Sequence, residues 1–113
     1  GQVQRFNATT GAFVDIFVAA GSGGLSFPAG LQFGPDDNLY VSSLLTHQII
    51  RYDGSASAPV PALNPIPWLN TPDQSFPSDL LFVGDDLLIA TTGGFGVLKY
   101  DGANLTNFAF HPD

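Results

Sequence analysis

Short apolar stretches alternate along this chain with clusters of glycine, proline, aspartate and asparagine. The stretches are four to six residues long, which is the length of a strand rather than of a helix. No segment has a helical period, so the pattern predicts strands bounded by turns. Ten strands are predicted, at residues 2–6, 12–18, 30–33, 39–42, 48–52, 58–63, 79–83, 87–91, 97–100 and 106–110.

One long segment of the chain occurs twice. Residues 28–54 read PAGLQFGPDDNLYVSSLLTHQIIRYDG, and residues 77–102 repeat them in altered form as PSDLLFVGDDLLIATTGGFGVLKYDG. A partial third copy opens the chain, because QVQRFN at 2–7 matches QIIRYD at 48–53 and GVLKYD at 96–101. Repetition at a period of 46 to 49 residues predicts an array of like supersecondary units.

Four antiparallel strands in each unit are typical of a β-propeller blade. The first two strands of a unit are the most apolar, as expected where neighbouring blades cover both faces. The fourth strand, 58–63, contains Pro59 and Pro61 and therefore suits an outer edge. The predicted fold class is all-β, a partial β-propeller of about two and a half four-stranded antiparallel blades.

The chain is accordingly predicted to be a single array of repeats. Residues 1–20 supply the two outer strands of a half blade, residues 28–63 and 77–111 form full blades, and residues 64–76 form the loop between them. An open array of this kind exposes blade faces and strand edges. We expect the chain to associate with itself, as a homo-oligomer or filament, or with the missing blades of a parent chain.

The first full copy resembles the NHL repeat and the related six-bladed propellers of the streptogramin-lyase and gluconolactonase-like type. The positions that follow the repeat pattern are Pro28, Gly30, Leu31, Phe33, Asp37, Leu39, Tyr40, Val41, Ile50, Tyr52 and Asp53. The second copy departs from it, with Ser78-Asp79 in place of Ala29-Gly30. The resemblance implies a propeller fold but no single function, because such propellers serve as enzymes, scaffolds and binding modules.

Charge and composition narrow the classes of partner. Ten aspartates against three basic residues give a net charge of −7, which disfavours nucleic acid. No apolar run reaches 18 residues, so membrane insertion is not predicted. The absence of cysteine excludes disulfides and thiolate chemistry. Sequons at Asn7 and Asn104 are candidate glycosylation sites and favour an extracellular or secreted protein.

The aspartate-rich turns and the two histidines are the first candidates for chemistry. Asp36-Asp37-Asn38 and Asp85-Asp86 offer oxygen ligands, but Ca²⁺ needs six or more and the EF-hand spacing is missing. We interpret them as strand-connecting turns and predict no metal or other cofactor. His47 and His111 occupy non-equivalent positions and are interpreted as surface histidines, so no catalytic residue is predicted.

One face of the array is a candidate ligand-binding surface. In a propeller, the loops that lead from one blade to the next share a face with the loops between second and third strands. This places His47, Trp68, Asn70, Asp73 and Asp79 together, with Trp68 available for stacking on a ligand. The alternative is that Trp68 caps the junction between two blades.

These observations favour a non-enzymatic, structural scaffold or protein-binding module. One alternative is a fragment of a lyase- or lactonase-like propeller enzyme whose catalytic residues lie outside this chain. Another is a glycan-binding, lectin-like propeller, for which Trp68→Ala would abolish glycan binding.

Overall fold

Three antiparallel sheets make up the computed structural model, which describes residues 1–55, 60, 62 and 65–109. The first sheet contains β1 (Val3–Phe6) and β2 (Phe13–Val18). The second contains β3 (Pro28–Phe33), β4 (Leu39–Ser43), β5 (Gln48–Tyr52) and β6 (Ile66–Asn70). The third contains β7 (Pro77–Val83), β8 (Asp86–Thr91), β9 (Val97–Tyr100) and β10 (Leu105–Ala109). The predicted all-β class, with four-stranded antiparallel sheets, is confirmed.

Each sheet is a simple meander in which strands adjacent in the chain are also paired in space. The orders are β1-β2, β3-β4-β5-β6 and β7-β8-β9-β10. Helical structure within the described ranges is confined to two 3₁₀ turns, Ser22–Gly24 and Leu44–Thr46. No helix in this part of the chain has the length and apolar character needed to cross a membrane.

The fourth strand of the second sheet does not lie where the sequence predicted it. The strand that pairs with β5 is Ile66–Asn70, inside the segment 64–76 that was predicted to be a loop. Most of the predicted strand 58–63 falls outside the described residues. β6 forms where Trp68 and Leu69 supply apolar side chains that pack against the second core. Pro67 is tolerated because β6 is an edge strand.

The second sheet lies between the other two and packs on both of them. Its front face, turned toward the first sheet, carries Leu31, Phe33, Leu39, Val41, Ile50 and Tyr52. Its back face, turned toward the third sheet, carries Gly30, Tyr40 and Ile49. Successive residues of a strand point to opposite faces, so β4 and β5 contribute alternately to two cores. All five residues of β4 are buried as a result.

Two apolar cores hold the three sheets together. In the first, Val3, Phe17 and Val18 of the first sheet pack against the front face of the second. In the second, Tyr40 and Ile49 pack against the front face of the third sheet. That face carries Leu80, Phe82, Leu87, Ile89 and Leu98. Each fully buried aliphatic side chain in these cores stabilises the fold by about 1.5–3 kcal/mol.

A close backbone approach joins β3 to β7, the first strands of their sheets. A Cβ atom at Gly30 would lie 2.6 Å from the Cα of Asp79, which no real side chain tolerates. Only glycine permits this spacing, so the second and third sheets can pack closely along their first strands.

Candidate functional site

His47 is tied to the loop that leads into the third sheet. It adopts a left-handed conformation with φ of 55°, and its carbonyl oxygen accepts a hydrogen bond from the Thr71 amide at 2.8 Å. Its Nε2 accepts a hydrogen bond from the Gln74 amide at 3.3 Å. Its ring meets that of Phe76 edge-to-face, with centroids 5.0 Å apart. His47 therefore fastens the β4–β5 turn to the residues that precede β7.

Trp68 lies in β6 rather than in a loop. The register of β5 and β6 shifts between Ile49 and Ile50, so Trp68 is an extra residue at a β-bulge. Its ring packs edge-to-face on Tyr40 and on Tyr100, with centroids 4.8 Å and 5.0 Å away. It thereby bridges the second and third sheets.

The other three predicted ligand-binding residues are not brought into one pocket. Asn70 is exposed at the end of β6, where its Oδ1 accepts a hydrogen bond from Gln48 Nε2 at 3.1 Å. Asp73 is exposed in the loop after β6. Asp79 is exposed on β7, and its Oδ1 accepts a hydrogen bond from the Leu80 amide at 2.9 Å. His47 contacts the β6–β7 loop, in which Asp73 lies, through its hydrogen bonds with Thr71 and Gln74. Trp68 and Asp79 contact other parts of the sheets. His111 lies outside the described residues.

Both carboxylate oxygens of Asp36 accept hydrogen bonds from nearby residues of the chain. Its Oδ1 accepts from the Asn38 amide, and its Oδ2 accepts from the Tyr40 hydroxyl at 2.8 Å and from Asn38 Nδ2 at 3.0 Å. Burial raises the pKa of Asp36, but the hydrogen bonds from Tyr40 and Asn38 outweigh it and hold the pKa below its ordinary value. Across the described ranges, no group of three or more histidines and carboxylates is placed to hold a metal ion.

Both candidate glycosylation residues lie in exposed turns. Asn7 follows β1, and its Oδ1 accepts hydrogen bonds from the Thr9 and Thr10 amides at 2.8 Å and 2.9 Å. Asn104 precedes β10, and its amide donates to Asp101 Oδ1 at 2.7 Å. Both residues lie between the third and fourth strands of their units, but the repeat match aligns Asn7 with Asp101 and not with Asn104.

The repeat is longer than the segment recognised in the sequence. Ser-Phe-Pro occurs at residues 26–28 and again at 75–77, so the unit begins two residues before Pro28. Phe27 and Phe76 both have positive φ values, 58° and 50°, which are rare for a bulky side chain. The repeated Ser-Phe-Pro tripeptide is the sequence signal for this longer unit, and its first two residues precede the copies that begin at Pro28 and Pro77.

Hydrogen bonds around the two tripeptides repeat as well. The Leu44 amide donates to the Phe27 carbonyl and the Thr92 amide donates to the Phe76 carbonyl, both at 3.1 Å. The same relation holds for the carbonyls of Ser26 and Ser75, which accept from Leu45 and Gly93. Leu31 and Phe33 are therefore structurally equivalent to Leu80 and Phe82, because each pair faces the same cross-strand positions of the following strand.

Equivalent positions of the two repeats differ sharply in exposure. Leu80 is 6% exposed and Phe82 is partly buried against the second core, whereas Leu31 is 54% and Phe33 is 55% exposed. The difference follows from what precedes each sheet. The third sheet packs against four strands, while the second packs against only β1 and β2. Leu31 and Phe33 therefore remain uncovered.

A cleft marks the uncovered part of the second sheet. A cavity of about 260 Å³ opens between β1 and β3 and is lined by Val3, Phe17, Leu31 and Phe33 among others. Arg5 lies at this cleft, and its guanidinium donates two hydrogen bonds to Asp15, at 2.6 Å and 2.7 Å. The hydrogen bond from Arg5 holds the pKa of Asp15 below its ordinary value. The charge at the cleft is thus locally compensated.

The opposite end of the array also presents an apolar surface. The back face of the third sheet, turned away from the second, carries Leu81, Val83, Leu88, Ala90 and Val97. Leu81 is 53% and Val83 is 56% exposed. The same face also carries Asp79 and an ion pair between Lys99 and Asp86 at 3.6 Å, so its charges are partly compensated. The chain therefore has exposed apolar side chains both on the front face of the second sheet and on the back face of the third.

Comparison of the chain with protein-family models gives no match, and comparison with curated proteins gives none either.

Proposed function

We propose that this chain is a non-enzymatic scaffold or binding module of β-propeller type, which binds further sheets of its own kind. The observation that carries the proposal is the contrast between Leu31 and Leu80. These equivalent residues are 54% and 6% exposed, according to whether two or four strands precede their sheet. The third sheet thus shows how this apolar surface is buried when a complete four-stranded sheet packs on it.

The distribution of charge supports binding through apolar surfaces. Only thirteen of the 113 residues are acidic or basic, and the back face of the third sheet carries Leu81, Leu88 and Val97 beside the ion pair of Asp86 and Lys99. Removing such side chains from water stabilises an interface by about 25 cal/mol per Å² of apolar surface. Head-to-tail stacking of like units forms a ring if the rotation closes and a filament if it does not.

The mass of the particle in solution tests the proposal. Light scattering over a range of protein concentrations should give a mass above that of the 11.9 kDa chain, increasing with concentration. Leu81→Asp should reduce the mass, because it places a charge on the apolar back face of the third sheet.

Leu45→Asp is the matched control, since Leu45 is 54% exposed in the turn Leu44–Thr46 and lies on the outer face of neither the first nor the third sheet. It should leave the mass unchanged. A particle of 11.9 kDa at every concentration would contradict the proposal.

A further inference from the structure

We propose that the cleft beside β1 is a docking site for a two-stranded β-hairpin of this chain's own repeat type. The second strand of that hairpin adds to the unpaired edge of β1, and its back face covers Leu31 and Phe33. This inference rests on the proposed function, because it names the partner of the surface from which that function was argued.

The identity of the occupant follows from the next repeat. Leu80 and Phe82, the equivalents of Leu31 and Phe33, are covered by the hairpin of β3 and β4. The ring of Tyr40 packs edge-to-face on Phe82, with centroids 4.9 Å apart. A hairpin that repeats β3 and β4 would bring its own tyrosine onto Phe33 in the same way.

The backbone of β1 offers the second part of the site. β1 is equivalent to β5, which pairs with β4 on one side and β6 on the other. Within the described ranges, β1 pairs only with β2. Its inner edge therefore presents unpaired amide and carbonyl groups that an added strand can bond.

The start of the chain shows how the turn of the hairpin would fit. The match of residues 2–7 to 48–53 places Gly1 at the position of His47. The His47 ring packs on Phe76, but Gly1 has no side chain, and the equivalent Phe27 is 60% exposed. A Cβ atom at Gly1 would overlap Pro28 in this arrangement, so the turn must shift slightly to accept a histidine.

The site continues an interface that already exists. Val3 and Phe17 line the cleft and also belong to the core between the first and second sheets. An added hairpin would extend that core inward toward β3, just as β3 and β4 extend the second core. The Arg5 charge is held by Asp15, so an apolar, uncharged hairpin face is the complementary partner.

A fusion protein tests the inference directly. A copy of residues 25–47 is joined to Gln2 in place of Gly1, which reproduces the natural connection between residues 47 and 48. Hydrogen exchange of the Val3–Phe6 amides should slow at least tenfold relative to the original chain, and the unfolding midpoint should rise. The matched control carries Tyr40→Asp in the added copy only, and its exchange should stay close to that of the original chain.

A peptide added in trans provides a second measurement. A synthetic peptide of residues 25–47 should bind the unmodified chain in calorimetry and should lose binding to Leu31→Asp by tenfold or more. It should bind Val83→Asp as before, because Val83 is equally exposed at the other end of the stack.

The outcomes separate this inference from the proposed function. Equal exchange in the fusion and its control, together with no loss of peptide binding in Leu31→Asp, would overturn the docking site even if the chain self-associates through its third sheet. Protection of β1 in the fusion, combined with a monomeric original chain, would support the docking site and contradict self-association.

Discussion

Phe27 and Phe76 adopt a backbone conformation that side chains other than those of glycine, asparagine and aspartate usually avoid. Such residues cost about 1–3 kcal/mol and persist only where the surroundings compensate for them. Phe76 is compensated by its contact with His47, whereas Phe27 is 60% exposed. The same backbone conformation is therefore supported by an aromatic contact in one repeat and not in the other.

Replacing each phenylalanine by glycine should separate strain from packing. Phe27→Gly removes the strain and little buried surface, so the free energy of unfolding should be unchanged or rise by up to about 1 kcal/mol. Phe76→Gly also removes an aromatic contact and should lower it by about 1–2 kcal/mol. Urea denaturation measures both. Equal effects of the two substitutions would show that the contact with His47 contributes nothing.

Tyr52 is a second residue whose surroundings determine its energetics. It is fully buried in the first core, and its hydroxyl donates to the Ser22 carbonyl at 2.8 Å. Burial raises the pKa of Tyr52 to about 12. In the unfolded chain the pKa of tyrosine is about 10.

Alkaline pH should therefore destabilise the fold through Tyr52. Because its pKa is higher in the folded state, its contribution is complete below about pH 10 and is lost as the pH rises through about 12. Tyr52→Phe should cost about 1 kcal/mol at neutral pH, through the lost hydrogen bond, but should flatten the alkaline decline. Thermal melts from pH 8 to 12 compare the two proteins, and parallel declines would exclude this role.

Among the elements, β3 and β7 show the tightest constraint, at Gly30. Gly30→Ala should push β3 away from the backbone of Asp79 and lower the free energy of unfolding by about 1–3 kcal/mol. Ala29→Ser, at the exposed neighbouring position, should change it by less than about 0.5 kcal/mol. Urea denaturation followed by the fluorescence of Trp68, the single tryptophan, reports on the junction of these sheets. A wild-type midpoint for Gly30→Ala would refute the close approach.

Most of the elements could be predicted from the sequence, because strand-length apolar runs and turn residues are local signals. The nine predicted strands other than 58–63 correspond to observed ones, although 106–110 extends one residue beyond the described range. The exception was β6, where Pro67 argued against a strand and the compensating burial of Trp68 against Tyr40 and Tyr100 is a tertiary effect. A short bulged edge strand that depends on the next sheet leaves little trace in its own sequence.

At the scale of the whole molecule, the repeat predicted like units but not which of their faces are covered. Leu31 and Leu80 occupy matching places in the sequence, and only the stacking order of the sheets reveals that one is exposed. The predicted ligand-binding residues were grouped by their position in loops. Position in the sequence does not reveal that Trp68 packs between the second and third sheets. Closure into a propeller and an extracellular location stay predictions.

The placement of the second sheet between two cores also determines which substitutions affect one another. Val41 and Tyr40 are adjacent in β4, yet one packs toward the first sheet and the other toward the third. Energetic coupling follows shared contacts rather than sequence distance, so Tyr40 should couple to Phe82 more strongly than to its own neighbour. The second sheet thus keeps the side chains of the two cores apart. The residues of one core can therefore vary with little effect on the packing of the other.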